Sequence, residues 1–307
     1  MFTWRLEKAI MAKRSPLVIG LDPDIGRFPA HLKPAPSDSG SFIADTILDF
    51  NKRIIDQVAD LVPAIKPQAA FYEQYGWAGI KVLEETTSYA RSKGLLVILD
   101  VKRGDVPNTA SAYARAYLAA DENPHAFPCD ALTVNPFLGR DSLQPFIDAA
   151  AANGRGVFLL VRTSNPGAAD LQNLRVTETQ RPVWKEVAAW AANWSKTTRG
   201  TNNYSPVGIV AGLTYPHEAQ TLRQLLPHSY LLLPGLGAQG GQIADALPCF
   251  DNKGLGALLV AARSVLYAFQ RKPYVNNFSE PDFAAAARQA TVDILNDLYQ
   301  AGYKPVQ

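Results

Sequence analysis

Short apolar runs recur along this chain, separated by stretches with helical spacing. The runs are Leu17–Leu21, Leu61–Ile65, Leu95–Leu99, Ala131–Val134, Gly156–Val161, Val207–Ala211, Tyr230–Leu233 and Ala257–Ala262. Each is short and almost free of polar residues, the pattern of strands buried on both faces. Between them, Phe42–Ala59, Tyr72–Lys93, Thr109–Ala120, Ser142–Ala152, Pro182–Lys196, Pro216–Leu226 and Asp282–Tyr299 read as helices. Ser41 is placed to cap the first of these, and Gly94 to stop the second. The stretch after Gly240 carries the weakest helical signal.

Eight strand–helix units predict an α/β protein, a single (β/α)8 TIM barrel over residues 1–307. The competing architecture is a doubly wound open sheet. Against it stand the high strand count and the lack of a G-x-G-x-x-G turn after the first strand. Asp24–Gly40, rich in proline and serine, and the polar Thr197–Ser205 read as excursions on the barrel, not as domain boundaries.

A parallel barrel gathers the C-terminal ends of its strands on one face, where active sites are built. Here those ends carry Asp22, Lys66, Asp100 with Lys102, Asn135, Thr163 with Ser164, Gln239 within a glycine-rich turn, and Arg263. The densest is the third, where an apolar strand runs into Asp100-Val101-Lys102-Arg103-Gly104-Asp105. Asp100 and Lys102 are two apart and share a face in extended chain. Lys66, Asp100, Lys102 and Asp105 form a set in which carboxylates and ammoniums keep each other ionised. The plain alternative is an ion-pair network at a barrel rim. At the other end, Gly235, Gly237, Gly240 and Gly241 with Gln239 and Arg263 suit a phosphate, bound by backbone N–H groups and a guanidinium fork. Asn135-Pro136 reads mainly as a turn, and Trp184, Trp190 and Trp194 as packing.

Composition narrows the function class. Thirty basic residues against 28 acidic ones leave no basic footprint for nucleic acid. The two cysteines, Cys129 and Cys249, and four scattered histidines have no zinc-site spacing. Scarce cysteine, charges that interrupt any signal-like segment near the N-terminus, and no apolar run of membrane length point to a cytoplasmic protein with no membrane partner.

The string D-x-K-x-x-D at Asp100–Asp105, continued by Val106-Pro107-Asn108-Thr109-Ala110, resembles the signature of the orotidine 5′-phosphate decarboxylase family. Asp22, Lys66, Thr163-Ser164, Pro234-Gly235 with Gln239, and Arg263 follow in that family's order, and the wording is most similar to its second bacterial type. One departure is Ala262, where many members carry glycine before the arginine. The resemblance implies a cofactor-independent carboxy-lyase that turns orotidine 5′-monophosphate into uridine 5′-monophosphate and CO2 in pyrimidine biosynthesis. In that reading Lys102 protonates the ring carbon, Asp100 sits by the departing carboxylate, Lys66 binds ribose, and Asp22 takes a ribose hydroxyl. Thr163 and Ser164 meet the pyrimidine edge, and Gln239 and Arg263 grip phosphate. Asp105 and Thr109 would reach into the partner's site of a homodimer. Rival readings are a magnesium-dependent barrel decarboxylase or aldolase, a Schiff-base aldolase using Lys66 or Lys102, and a non-catalytic nucleotide-binding barrel.

Overall fold

The computed structural model describes residues 1–35, 39–119, 123–236 and 241–305. Eight parallel strands close into one barrel in sequence order: β1 (Leu17–Leu21), β2 (Ala64–Pro67), β3 (Leu96–Arg103), β4 (Ala131–Val134), β5 (Gly156–Arg162), β6 (Val207–Ala211), β7 (Leu231–Leu233) and β8 (Ala257–Ala261). β8 pairs with β1 to complete the ring, with Leu17 opposite Leu259.

The strands are apolar up to their C-terminal ends because each packs on two sides. Alternate residues such as Ile19, Ile65, Val97, Leu132, Ile209 and Leu259 join the helices in an outer core. The residues between them, Val18, Ala64, Ile98, Ala131, Phe158, Leu232 and Leu258, fill the barrel interior. This period-2 division of one continuous apolar run follows from the strand pleat. The floor of the interior is closed by the helix Phe2–Lys13, whose Phe2, Leu6 and Ile10 pack into it. Phe2 meets Phe158 edge-on, with centroids 6.1 Å apart. That helix was not among the predicted elements, since its buried face is narrow and Arg5, Glu7 and Lys8 stand between its apolar residues in sequence.

Several boundaries differ from the sequence reading. The second run predicts a strand at Leu61–Ile65, but the strand begins at Ala64 and carries Lys66 inside it. Pro63 precedes it and has no N–H to donate to a ladder. The expected cap Ser41 is already helical. Ser39 caps instead, its Oγ accepting from the Phe42 N–H at 3.2 Å, and the helix runs Gly40–Val58. The single helix expected over Tyr72–Lys93 is two, Ala70–Glu73 and Gly76–Ser92, because Gly76 turns the chain at φ 63°. Among the described residues no helix is long and apolar enough to cross a membrane.

Candidate active site

The inward rows that build the interior continue upward into polar side chains. Gly20 is followed two residues on by Asp22, Ala64 by Lys66, Ile98 by Asp100, and Ala131 by Thr133. All four polar residues line one cavity of about 420 Å³ at the C-terminal mouth of the barrel. The cavity has two unlike walls. Asp22, Lys66, Gln68, Asp100, Lys102 and Thr133, from β1 to β4, make one side charged and polar. Leu160, Val210, Leu232 and Val260, within β5 to β8, make the other apolar at its base, with Thr163, Ser164 and Arg263 at its rim. Such a site suits a flat ring held over an apolar surface, with its charged groups fixed on one side.

Asp100 is the hub. Its Oδ2 accepts from Lys66 Nζ at 2.8 Å and from Gln68 Nε2 at 3.0 Å. Its Oδ1 accepts from Lys102 Nζ at 2.6 Å and from Thr133 Oγ1 at 2.9 Å. Burial presses this carboxyl toward its neutral form, but Lys66 and Lys102 outweigh that effect and hold it well below the usual carboxylate range. Lys66 is 6% exposed. Desolvation works to lower its pKa, yet Asp100 and Asp22 more than offset it, so the ammonium is held above the ordinary lysine value. Asp22 behaves oppositely. Burial is the largest influence and raises its pKa, with Lys66 offsetting only part. The buried Oδ1 of Asp22 has no hydrogen-bond partner among the described residues. A buried carboxylate oxygen left in that state is costly unless a ligand donor fills the place.

Lys102 reaches the same point as Asp100 by a less regular route than an extended strand. β3 and β4 pair Leu99 with Leu132 and Arg103 with Val134, so a bulge lies between. Lys102 itself takes φ 45°. Left-handed backbone in a non-glycine residue costs roughly 1–2 kcal/mol, and such outliers collect at functional sites. Arg103, next in the chain, pairs with Glu73 at 2.5 Å and bonds the Tyr117 hydroxyl at 3.2 Å, anchoring the strand end.

Thr163 and Ser164 follow β5 and line the cavity with Asn165. Gln172 holds this turn, accepting from the Thr163 N–H at 3.1 Å and donating to its Oγ1 at 2.8 Å. Arg263 opens the short helix Arg263–Leu266 after β8, and its guanidinium donates no hydrogen bond to any described residue. The glycine turn after β7 is closed at its base by Gly241 N–H donating to Gly235 O at 3.1 Å. Gln239, expected at this end, lies outside the described residues, as do Gly237 and Gly240.

Asp105 and Thr109 lie outside this chain's own cavity, and Asn135 forms the turn expected of it. Asp105 does not join Lys66, Asp100 and Lys102, because the turn at Gly104 carries it away. Its Oδ1 accepts from the Val106 N–H at 2.8 Å, and it is not part of the cavity wall. Thr109 is exposed on the helix Pro107–Leu118. Asn135 turns the chain after β4, its Oδ1 accepting from Phe137 N–H at 3.0 Å. Conversely, Gln68 and Thr133 were missed, although parity alone marks them: each stands two residues beyond an inward-facing position, Lys66 and Ala131. Among the described residues no three His, Cys, Asp or Glu side chains converge as a metal cluster.

Comparison with known proteins agrees over nearly the whole chain. The family model "Orotidine 5′-phosphate decarboxylase / HUMPS family" matches residues 15–274. An orotidine 5′-phosphate decarboxylase of Rhodopirellula baltica is 40% identical over 299 residues, covering 97% of this chain and 98% of that one. The enzyme of the same name from Thermomicrobium roseum is 42% identical over 288 residues, covering 94% and 92%. The solved structure of Leishmania donovani OMP decarboxylase superposes with a TM-score of 0.71 at 30% identity, covering 97% of this chain and 99% of that chain.

Proposed function

The chain belongs to the orotidine 5′-phosphate decarboxylase family, and from that membership we propose how its residues convert orotidine 5′-monophosphate to uridine 5′-monophosphate and CO2. As the ring C–CO2⁻ bond breaks, its electron pair stays on the ring carbon. Lys102 stands in the cavity as an ammonium bonded to Asp100, and it stabilises that developing negative charge, then donates its proton to the carbon. The neutral amine recovers a proton from solvent. With the charge met by a fixed ammonium, no electron-sink cofactor is required.

One observation supports this assignment above the rest: the continuous row Lys66–Asp100–Lys102 in a single cavity. Asp100 restrains both ammoniums, so Lys102 is oriented before substrate arrives and little reorganisation remains for the transition state. Asp22, with an unsatisfied Oδ1, suits a ribose hydroxyl, and Lys66 lies beside it. Arg263 at the opposite rim suits the phosphate, where binding energy remote from the ring lowers the chemical barrier. Thr163 and Ser164 face the pyrimidine edge.

The same reading makes the enzyme a homodimer with shared sites. Trp77, Val106, Phe137 and Leu138 are exposed apolar residues on the segments that follow three neighbouring strands, β2, β3 and β4. In this reading Asp105 and Thr109, on the same segments, serve a second chain. Cys129 and Cys249 are buried and unpaired, as suits the reducing cytoplasm in which we place the protein.

Purified protein given orotidylate with a chelator and no added metal should consume it, followed by ultraviolet absorbance. Lys102→Ala should keep the fold and lose turnover. Absence of turnover in the parent protein, or near-parental turnover in Lys102→Ala, overturns the assignment.

A further inference from the structure

We propose that Thr133 is a positioning residue for Lys102: its hydroxyl accepts the Lys102 N–H at the bulge in β3, and it ties the lysine to Asp100. The inference rests on the reading of Lys102 as the proton donor. Its geometry is independent of that reading.

Leu99 pairs with Leu132 and Arg103 with Val134. Three residues of β3, Asp100 to Lys102, therefore stand opposite the single residue Thr133. In a regular ladder alternate residues turn to opposite neighbours, and Asp100, whose carbonyl accepts from the Ala69 N–H at 3.2 Å on the β2 side, sets the parity of Lys102 away from β4. The bulge turns the Lys102 N–H toward β4, where Thr133 Oγ1 accepts it at 2.9 Å. A hydroxyl has one proton to give and lone pairs to accept with. Here the proton goes to Asp100 Oδ1, also at 2.9 Å. Both capacities are thus used, in opposite directions, on the two residues that must meet. The side chain is 1% exposed, so water has little access to substitute for it.

The consequence is a closed ring of bonds. Lys102 Nζ donates to Asp100 Oδ1, Thr133 Oγ1 donates to the same oxygen, and Lys102 N–H donates to Thr133. Backbone and ammonium of one lysine are fixed through one threonine and one carboxylate. Lys102 needs this support because its φ of 45° is a conformation the chain leaves when unsupported. Without the hydroxyl, the bulge loses its acceptor and the ammonium its fixed direction, while the ribose and phosphate ends of the cavity stay intact.

Thr133→Val keeps the branched shape and removes both bonds; Thr133→Ser keeps both and loses a methyl. Steady-state turnover of orotidylate, uridylate affinity by calorimetry and thermal melting are measured for each. Thr133→Val should lower kcat by about a hundredfold, as a small displacement of a catalytic group does, with uridylate affinity close to the parent's. Thr133→Ser should restore most of kcat. A folded Thr133→Val with parental kcat overturns the proposal, as does a serine variant that loses as much kcat as the valine one. In either case the parent remains active and Lys102→Ala inactive, so the role of Lys102 survives. An inactive parent, or an active Lys102→Ala, overturns both.

Discussion

Gly20 of β1 and Ala262, the residue after β8, face each other so closely that a Cβ on Gly20 would stand 2.6 Å from the Ala262 Cβ. This is the seam at which the barrel closes, and it has room for one methyl group. Ala262 supplies it. The same imagined Cβ lies 3.6 Å from Asp22 Oδ1, so the seam borders that carboxylate. Gly20→Ala should destabilise the fold by about 1–3 kcal/mol, the usual cost of overpacking, and should weaken substrate binding through Asp22. Adding Ala262→Gly should return much of the lost stability. Denaturant unfolding of the three variants checks this, and a double variant no better than Gly20→Ala would show that the two positions are not coupled.

Asp22 is expected to reduce the stability of the unliganded protein. Its pKa is raised in the folded state, first by burial, so between the ordinary carboxylate value and the raised one the native state holds a proton that the unfolded state has released. Stability therefore falls as pH rises through that window, and the deficit persists at neutral pH. Asp22→Asn removes it. The variant should melt higher than the parent at neutral pH, with the difference shrinking as pH drops below the ordinary carboxylate range. Uridylate affinity should fall, since the ribose loses an anionic acceptor. A variant that melts lower at neutral pH would mean that support for Lys66 outweighs the relief.

Much of this was legible in the sequence because strand parity and barrel topology are simple rules. The runs at Leu17, Ala131 and Val207 begin and end where the strands do, and the residues on their upper ends share one mouth. Asp100 and Lys102 could be paired from their spacing, and Lys66 joined to them because barrel strand ends share one face. What escaped depends on relationships between distant segments. The bulge opposite Thr133 is a matter of register between β3 and β4, which neither strand encodes by itself. Asp105 looked equivalent to Asp100, but the turn at Gly104 separates them. The helix Phe2–Lys13 was hidden by its exposed charges, whereas its buried face is only Phe2, Thr3, Leu6 and Ile10.

The opposite end of the barrel should affect stability without touching chemistry. Asp130, 1% exposed, precedes β4 and accepts from Arg5 at 2.6 Å, from Arg155 at 3.3 Å and from the Val97 N–H at 2.9 Å. It ties the N-terminal helix to the starts of β3 and β5. Asp130→Ala strands the buried Arg155 and should cost about 3–5 kcal/mol, as breaking one partner of a buried pair does. At temperatures where the variant stays folded, kcat should equal the parent's. A large drop in kcat without loss of stability would contradict the separation of the two ends.

Shared sites make a sharper prediction than dimerisation alone. Lys102 lines the cavity of its own chain, whereas Asp105 faces away from it beside the exposed Val106. If Asp105 serves the partner, Lys102→Ala and Asp105→Ala homodimers are each defective at both sites. A hybrid of the two chains is different. One of its sites combines both lesions, and the other combines an intact Lys102 with an intact Asp105. Random exchange makes half the dimers hybrids, so a 1:1 mixture should recover about a quarter of parental activity, the share of native sites in a twofold assembly. Activity should rise with the rate of subunit exchange, followed by native mass spectrometry of differently tagged chains. A mixture that exchanges fully and stays as inactive as its parts would place Asp105 outside the partner's site.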